Sequence, residues 1–289
     1  MPVPVPDIGR DLFPNRPQET PSITEPPAGA SPFDELASGY DDTFTRGAIG
    51  ALLRRPLWRR LDAAFAPGSR VLELGCGTGE DAVHLGRRGV RVLATDASPG
   101  MVAAARRKVA AAGLAERVEV LQLAIEELGG LGRPSGAAPF DGAYSSFGGL
   151  NCVGDLRRVG LDLAALLRPG ARLLLCVMGP LVPWEWVWFG ARGEPGKALR
   201  RLRPGGAAWR GMTIRYPTIG TVRRAFAPGF RASGAPAALG ALLPPSYAEA
   251  WAARHPRLLA RLDRWERRWE SLPPLPWLAD HYLLELERR

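Results

Sequence analysis

Glu73, Gly75, Gly77, Gly79 and Asp96 are spaced to hold a nucleoside. The three glycines follow a short apolar run, Val71-Leu72-Glu73-Leu74, and let the backbone turn at positive φ and approach a ligand closely. A helix that starts beside them aims unpaired N–H groups into the same space. Asp96 ends the next apolar run, Val90 to Thr95, where a carboxylate can accept both hydroxyl hydrogens of a ribose. The chemistry is the binding of a nucleoside-bearing ligand at the carboxyl edge of an open α/β sheet.

The glycine spacing narrows the ligand. A dinucleotide fingerprint, G-x-G-x-x-G, would need its third glycine at position 80, which is Glu80, an anion where a pyrophosphate would sit. The run Glu73-Leu74-Gly75-Cys76-Gly77-Thr78-Gly79 instead resembles motif I of the class I S-adenosylmethionine-dependent methyltransferases, whose ligand has a cationic methionine tail and no phosphate. The resemblance implies a Rossmann-like α/β fold with a seven-stranded, mostly parallel sheet of order 3-2-1-4-5-7-6. It also implies S-adenosylmethionine as cofactor and S-adenosylhomocysteine as product, with contacts from Glu73, Gly75, Cys76, Gly77, Thr78, Gly79, Asp96 and Ala97. In Asp96-x-Ser98-x-x-Met101 the methionine resembles the family's adenine-packing residue, or it packs its own helix.

Four further places bear on the resemblance, one of them a departure from it. Tyr40-Asp41 is similar to a pair that folds over the methionine part of the cofactor; otherwise Tyr40 is a half-buried residue at a helix end. After the third strand, where family members often carry an acid that contacts adenine, this chain has Ala124-Ile125. Backbone groups of Ala124 and Ile125, or Glu126 reaching back, would then do that work. Ser146 and the residues to Cys152 follow the fourth strand and should form the floor under the transferable methyl group. Leu167-Arg168-Pro169-Gly170, leading into Leu173, matches the family's turn before strand five.

The elements that position these residues read off in order. Residues 1–30 are proline-rich and poor in bulky side chains, the composition of a disordered tail. Residues 31–289 then read as one methyltransferase domain. Leu53, Leu57 and Leu61 recur at helical spacing ahead of the first strand. Ser98 is a natural N-cap with Pro99 at the first helical position. Val118–Leu123, Phe140–Phe147 and Leu173–Met178 are strands three to five, and Asp155–Leu167 is an amphipathic helix. The cofactor-binding core is about 66–180, with cap segments at about 181–211 and 240–279. Residues 190–211 read as a loop, Thr218–Phe226 as a helix, and Phe230–Gly234 and His281–Glu287 as the two closing strands.

Substrate and catalytic residues are less marked. Trp184, Trp186 and Trp188 follow strand five, and eight of the nine tryptophans lie after residue 180. They either enclose an apolar acceptor or pack a helix on the sheet. Asn151 can orient a substrate or cap the following helix. Tyr144, Asn151 and Glu185 are the candidate catalytic side chains, because methyl transfer needs a base only when the acceptor must lose a proton. No metal-ligand cluster is visible, and Cys76, Cys152 and Cys176 form no disulfide framework, which fits a cytoplasmic protein.

The formal charge of +9 suggests an anionic partner, but of 38 lysines and arginines only Lys108 and Lys197 are lysines. That bias reads as arginine replacing lysine on ordinary solvated faces and argues against nucleic acid. The start of the chain has no signal-peptide pattern, and Pro180, Pro183 and Glu185 interrupt the most apolar stretch, so no membrane span is expected. The Trp-rich cap beside basic residues allows weak association with a membrane surface. The expected partner is a small, apolar or aromatic acceptor methylated at O, N or C by in-line transfer. The rival is an RNA or protein methyltransferase that uses the arginine-rich cap.

Overall fold

In strand β1 (Arg70–Leu74) alternate side chains enter two different cores. Val71 faces one layer of helices and Leu72 and Leu74 face the other. The structure, a computed structural model, describes residues 33, 34, 37, 41, 47–131 and 139–289. The proline-rich tail, Tyr40 and residues 132–138 lie outside the described residues.

β1 is followed by α2 (Glu80–Arg87), β2 (Arg91–Asp96), α3 (Pro99–Ala111), β3 (Val118–Gln122) and β4 (Phe140–Ser145). After α4 (Leu156–Leu166) comes β5 (Leu167–Met178), and the chain closes with β8 (Phe230–Ala232) and β10 (His281–Arg288). The strand order is β3-β2-β1-β4-β5-β10-β8, parallel through β5, with β10 antiparallel to both its neighbours. With β10 as seventh strand and β8 as sixth, this is the expected 3-2-1-4-5-7-6 sheet. Parallel strands bring every strand-to-helix turn from β1 to β4 to one edge, where ligands of such sheets bind.

One face of the sheet is covered by α1 (Ala48–Ala64), α2 and α3, with Ile49, Leu53, Leu57 and Leu61 of α1 buried at i, i+4 spacing. The N-terminus of α1 has no cap of its own. Glu249, some 200 residues away, accepts from Ala48 N (3.0 Å) and Ile49 N (2.9 Å) instead. The other face is covered by α4 and α7 (Ile219–Phe226). Ser98 caps α3, accepting from Met101 N at 3.1 Å.

Four readings of the chain are corrected. β5 starts at Leu167, because the strand continues through the Pro169-Gly170 turn with a register shift against β4. Asp155, not Asn151, caps α4, accepting from Arg158 N at 3.0 Å. Residues 190–211 are not a simple loop. They carry α6 (Pro195–Ala198) and the start of a hairpin of β6 (Ala207–Trp209) and β7 (Met212–Ile214). A short strand, β9 (Ala237–Leu239), pairs with the start of β10 and had no clear signal in an alanine-rich stretch. Helices α5 (Pro183–Gly190), α8 (Glu249–Arg254) and α9 (Pro256–Trp269) complete the fold.

Candidate active site

At the carboxyl edge, Gly75 and Gly77 sit at φ +68° and +52°, a region that side-chain-bearing residues rarely adopt. A Cβ on Gly75 would also meet Gly149 Cα at 3.4 Å, so the loop lies against the segment after β4. Asp96 organises this loop. Its carboxylate accepts from Gly77 N (2.8 Å) through one oxygen and from Ser98 N (2.9 Å) through the other. Each oxygen keeps one lone pair for a diol. Burial pushes its pKa up, and these two N–H groups hold that rise back.

Gly75, Cys76, Gly77, Thr78, Asp96, Ala97, Met101, Ile125 and Ser146 all line one cleft of about 1260 Å³. Met101 and Ile125 supply apolar walls, and Ser146 Oγ is buried with no hydrogen-bond partner. An orphaned hydroxyl, a twin-acceptor carboxylate and glycines whose Cβ positions are empty or closed by backbone fit a ribose and its thioether chain. Asp41 ties the mouth shut on one side: it accepts from Thr78 Oγ1 (2.6 Å) and pairs with Lys108 (2.7 Å). Lys108 also neutralises Glu80 (2.8 Å), so the acid that replaces the dinucleotide glycine is itself paired.

Three expected cofactor contacts lie outside the cleft. Glu73 points the other way, because β1 alternates: it shares a face with Tyr144, its register partner on β4, and is 1% exposed. Burial and the nearby Asp81 raise the pKa of its carboxyl well above the usual value, with Tyr144 and Arg54 opposing the rise. A carboxyl raised in the folded state opposes folding through its ionisation as pH rises above the ordinary value of about 4.3. Glu73→Gln should therefore leave S-adenosylmethionine affinity within about twofold and lose no stability at pH 8; calorimetry and urea melts check both. Gly79 is instead the left-handed N-cap of α2, where a Cβ would meet Ala105 Cβ at 3.0 Å. Ala124 gives its N–H to Glu127 Oε2 (3.1 Å), leaving Ile125 and Glu126 to line the cleft.

Aromatic rings line the cleft as well. Trp188 and Phe189 come from α5, Trp209 and Tyr216 from the β6–β7 hairpin and its exit, and Phe33 packs on Trp209 with ring centroids 5.2 Å apart. Phe33 is positioned by Asp34, which accepts from Ser98 Oγ (2.5 Å) and Gly100 N (2.8 Å). The Arg192 guanidinium lies 3.8 Å over Trp188, and Arg200 and Lys197 flank Phe189. Phe147 also lines the cleft at φ +43°, an outlier for a bulky residue, of the kind that clusters at functional sites. It belongs to the segment from Ser146 to Cys152 expected as the floor, where the sequence did not single it out.

The candidate catalytic residues are structural. Tyr144 is fully buried in mid-strand, where burial pushes its pKa well up. Both donors of the Asn151 amide are engaged: Nδ2 donates to Met178 O (3.1 Å) and Arg215 O (2.5 Å), and Oδ1 accepts from Met178 N (2.9 Å). It fastens the end of β5 to the hairpin exit, is fully buried and does not line the cleft. Glu185 is 2% exposed and closes on Arg200 (2.5 Å) and Arg201 (2.8 Å). Trp184 donates to Leu242 O (3.2 Å), and neither it nor Trp186 lines the cleft. The spacing 184, 186, 188 would share one face of a strand, but α5 is a helix and turns Trp186 about 200° from Trp184. Cys152 does line the cleft, and burial pushes its thiol up to about 11, so it is no thiolate nucleophile at neutral pH. No histidine lines the cleft among the described residues.

This sheet order, with a glycine loop after β1 and a carboxylate closing β2, defines a Rossmann-like nucleoside-binding domain of the methyltransferase kind. Residues 71–170 match the family described as methyltransferase domain. A Clavibacter sepedonicus protein called demethylmenaquinone methyltransferase is 37% identical over 156 residues, covering 52% of this chain and 58% of that protein. Its counterpart from Corynebacterium kroppenstedtii is 31% identical over 154 residues, covering 52% of this chain and 60% of the relative. The chain thus spans under two thirds of the relatives it matches. The crystal structure of an S-adenosylmethionine-dependent methyltransferase from Mesorhizobium loti superposes with a TM-score of 0.53 at 22% identity, covering 83% of this chain and all of that one. That likeness is one of fold.

Proposed function

We propose that the chain is an S-adenosylmethionine-dependent methyltransferase acting on a small, apolar or aromatic acceptor. The observation that carries this reading is one cleft lined by two unlike sets of groups. A glycine loop with the Asp96 carboxylate forms one, and the wall of Phe33, Trp188, Phe189, Trp209 and Tyr216 forms the other. When bound, the cofactor supplies a methyl group on a positively charged sulfur. Asp96 would hold its ribose, Met101 and Ile125 its adenine, and Ser146 a polar atom on the floor. Segments 181–211 and 240–279 form the acceptor-side cap in this reading.

The aromatic wall would orient a planar or greasy acceptor and exclude water, which is most of what this reaction needs from a protein. With no histidine at the cleft, the acceptor atom is one that attacks without a dedicated imidazole base. The name of the matched relatives gives a quinone as their acceptor and supports an apolar, aromatic class here. The cap does not favour RNA: Arg200 and Arg201 are engaged by Glu185, and Arg192 lies on Trp188. Methyl-labelled S-adenosylmethionine with a panel of quinones and phenols tests the proposal. Trp188→Ala should raise KM for an active acceptor about tenfold with little change in cofactor affinity. Label transferred only to RNA or protein would overturn it.

A further inference from the structure

The outer face of α9 carries charge of one sign. Arg257, Arg261, Arg264, Arg267 and Arg268 are exposed, while both acids of the helix, Asp263 and Glu266, are buried at 6% and 3%. Glu266 accepts from the backbone N–H groups of Gly240, Leu242 and Leu243, and Asp263 pairs with Arg267 at 3.0 Å. Beside the arginines runs an exposed apolar stripe. Leu258, Trp265 and Trp269 recur at intervals of seven and four residues, exposed Leu272 follows just past the end of the helix, and the two indoles stack with centroids 6.2 Å apart. Trp265 is half exposed. An ordinary water-facing helix mixes acids and bases and does not present two tryptophans side by side.

We infer that this face docks on the surface of an anionic lipid bilayer. Indoles sit at the headgroup level, aliphatic side chains enter the acyl boundary, and flanking arginines meet lipid phosphates. Charge complementarity selects an anionic surface, and the stripe selects lipid over nucleic acid, since Leu258 and Leu272 offer no ring to stack on bases. No helix among the described residues is long and apolar enough to cross a membrane, so α9 would lie in the plane of the surface. The docked helix reaches the cleft by direct contacts. Glu266 holds the turn at Leu242, whose carbonyl takes the Trp184 indole, and one helical turn further along α5, Trp188 lines the cleft. This inference stands apart from the identity of the acceptor.

The full chain should co-sediment with vesicles of phosphatidylcholine and phosphatidylglycerol, and not with phosphatidylcholine alone; high salt should release it. Trp265→Ala/Trp269→Ala should lower the partition coefficient roughly tenfold, and Arg261→Glu/Arg264→Glu/Arg268→Glu should reduce it to background. Both variants alter only exposed side chains, so S-adenosylmethionine binding should stay unchanged and report intact folding. Equal binding to neutral vesicles, or anionic binding indifferent to both variants, would overturn the inference. So would a wild-type dimer that the tryptophan variant makes monomeric without any vesicle binding, or low-salt RNA retention in place of vesicle binding.

Discussion

Replacing Asp96 by alanine should weaken S-adenosylmethionine binding by roughly 100-fold or more. The Asp96 oxygens already accept from Gly77 N and Ser98 N, and each retains a lone pair facing the cleft. Two ribose hydroxyls donating to a carboxylate are together worth about 3–6 kcal/mol, at about 1.5–3 kcal/mol per bond to a charged group. Alanine also releases the Gly77 loop from its brace, adding to the loss. Asp96→Asn should fail nearly as badly, since its NH2 would face one of those N–H donors. Burial raises the Asp96 pKa, so affinity should fall on acidification at a pH above the ordinary carboxylate value of about 3.9. Isothermal titration calorimetry across pH measures both effects. An alanine variant within threefold of wild type would show that the ribose is held elsewhere.

Arg201→Met should cost about 3–5 kcal/mol of stability, because it removes the buried cation shared by Glu185 and the partly buried Asp280 and leaves each with a single partner, Arg200 and His281. Arg201, 7% exposed, bonds Glu185 through both oxygens (2.8 and 3.1 Å), Asp280 Oδ1 (2.5 Å), and the carbonyls of Gly179 and Asp280. The cluster pins α5 to the β5–β10 end of the sheet, so the aromatic wall should loosen with it. Burial alone would raise the pKa of Asp280, but Arg201 and His281 hold the carboxyl far below its usual range. A carboxyl depressed in the folded state contributes stability that is present above its unfolded value, about 3.9, and is lost as pH falls below it. The gap between wild type and Asp280→Asn in urea melts should therefore be full at pH 7 and begin to narrow below about pH 4, shrinking further as pH falls toward the depressed folded value. A loss under 1 kcal/mol for Arg201→Met would mean that the cap is held by its apolar contacts instead.

How legible these features were depended on whether the physics is local. The segment Val71–Asp96 carries its meaning in the chain: positive-φ glycines after a strand, and an acid at the end of the next strand, need only neighbours in sequence. Asp155 shows a local rule with two candidates nearby. Asn151 and Asp155 both suit an N-cap, and only the coordinates show that Asn151 is engaged with Met178 and Arg215. Glu73 failed because motif position and side-chain direction are different things. It lies in the glycine motif, yet the strand's alternation turns it away from the ligand and under α1 and α2.

By itself the sequence determined the glycine loop and Asp96, and the resemblance they carry implied the strand order and the methyl donor. The loop and the acid rest on spacings within a few tens of residues, where strand, turn and helix periods are fixed by backbone geometry. Only the tertiary structure decided the acceptor side. Which tryptophan of Trp184, Trp186 and Trp188 faces the cleft follows from α5 being a helix clamped by Arg201 and Asp280. Phe33, Trp209 and Tyr216 come to the same wall from segments over a hundred residues apart. Contacts between such distant segments are selected by global packing, which leaves no period in the chain to read.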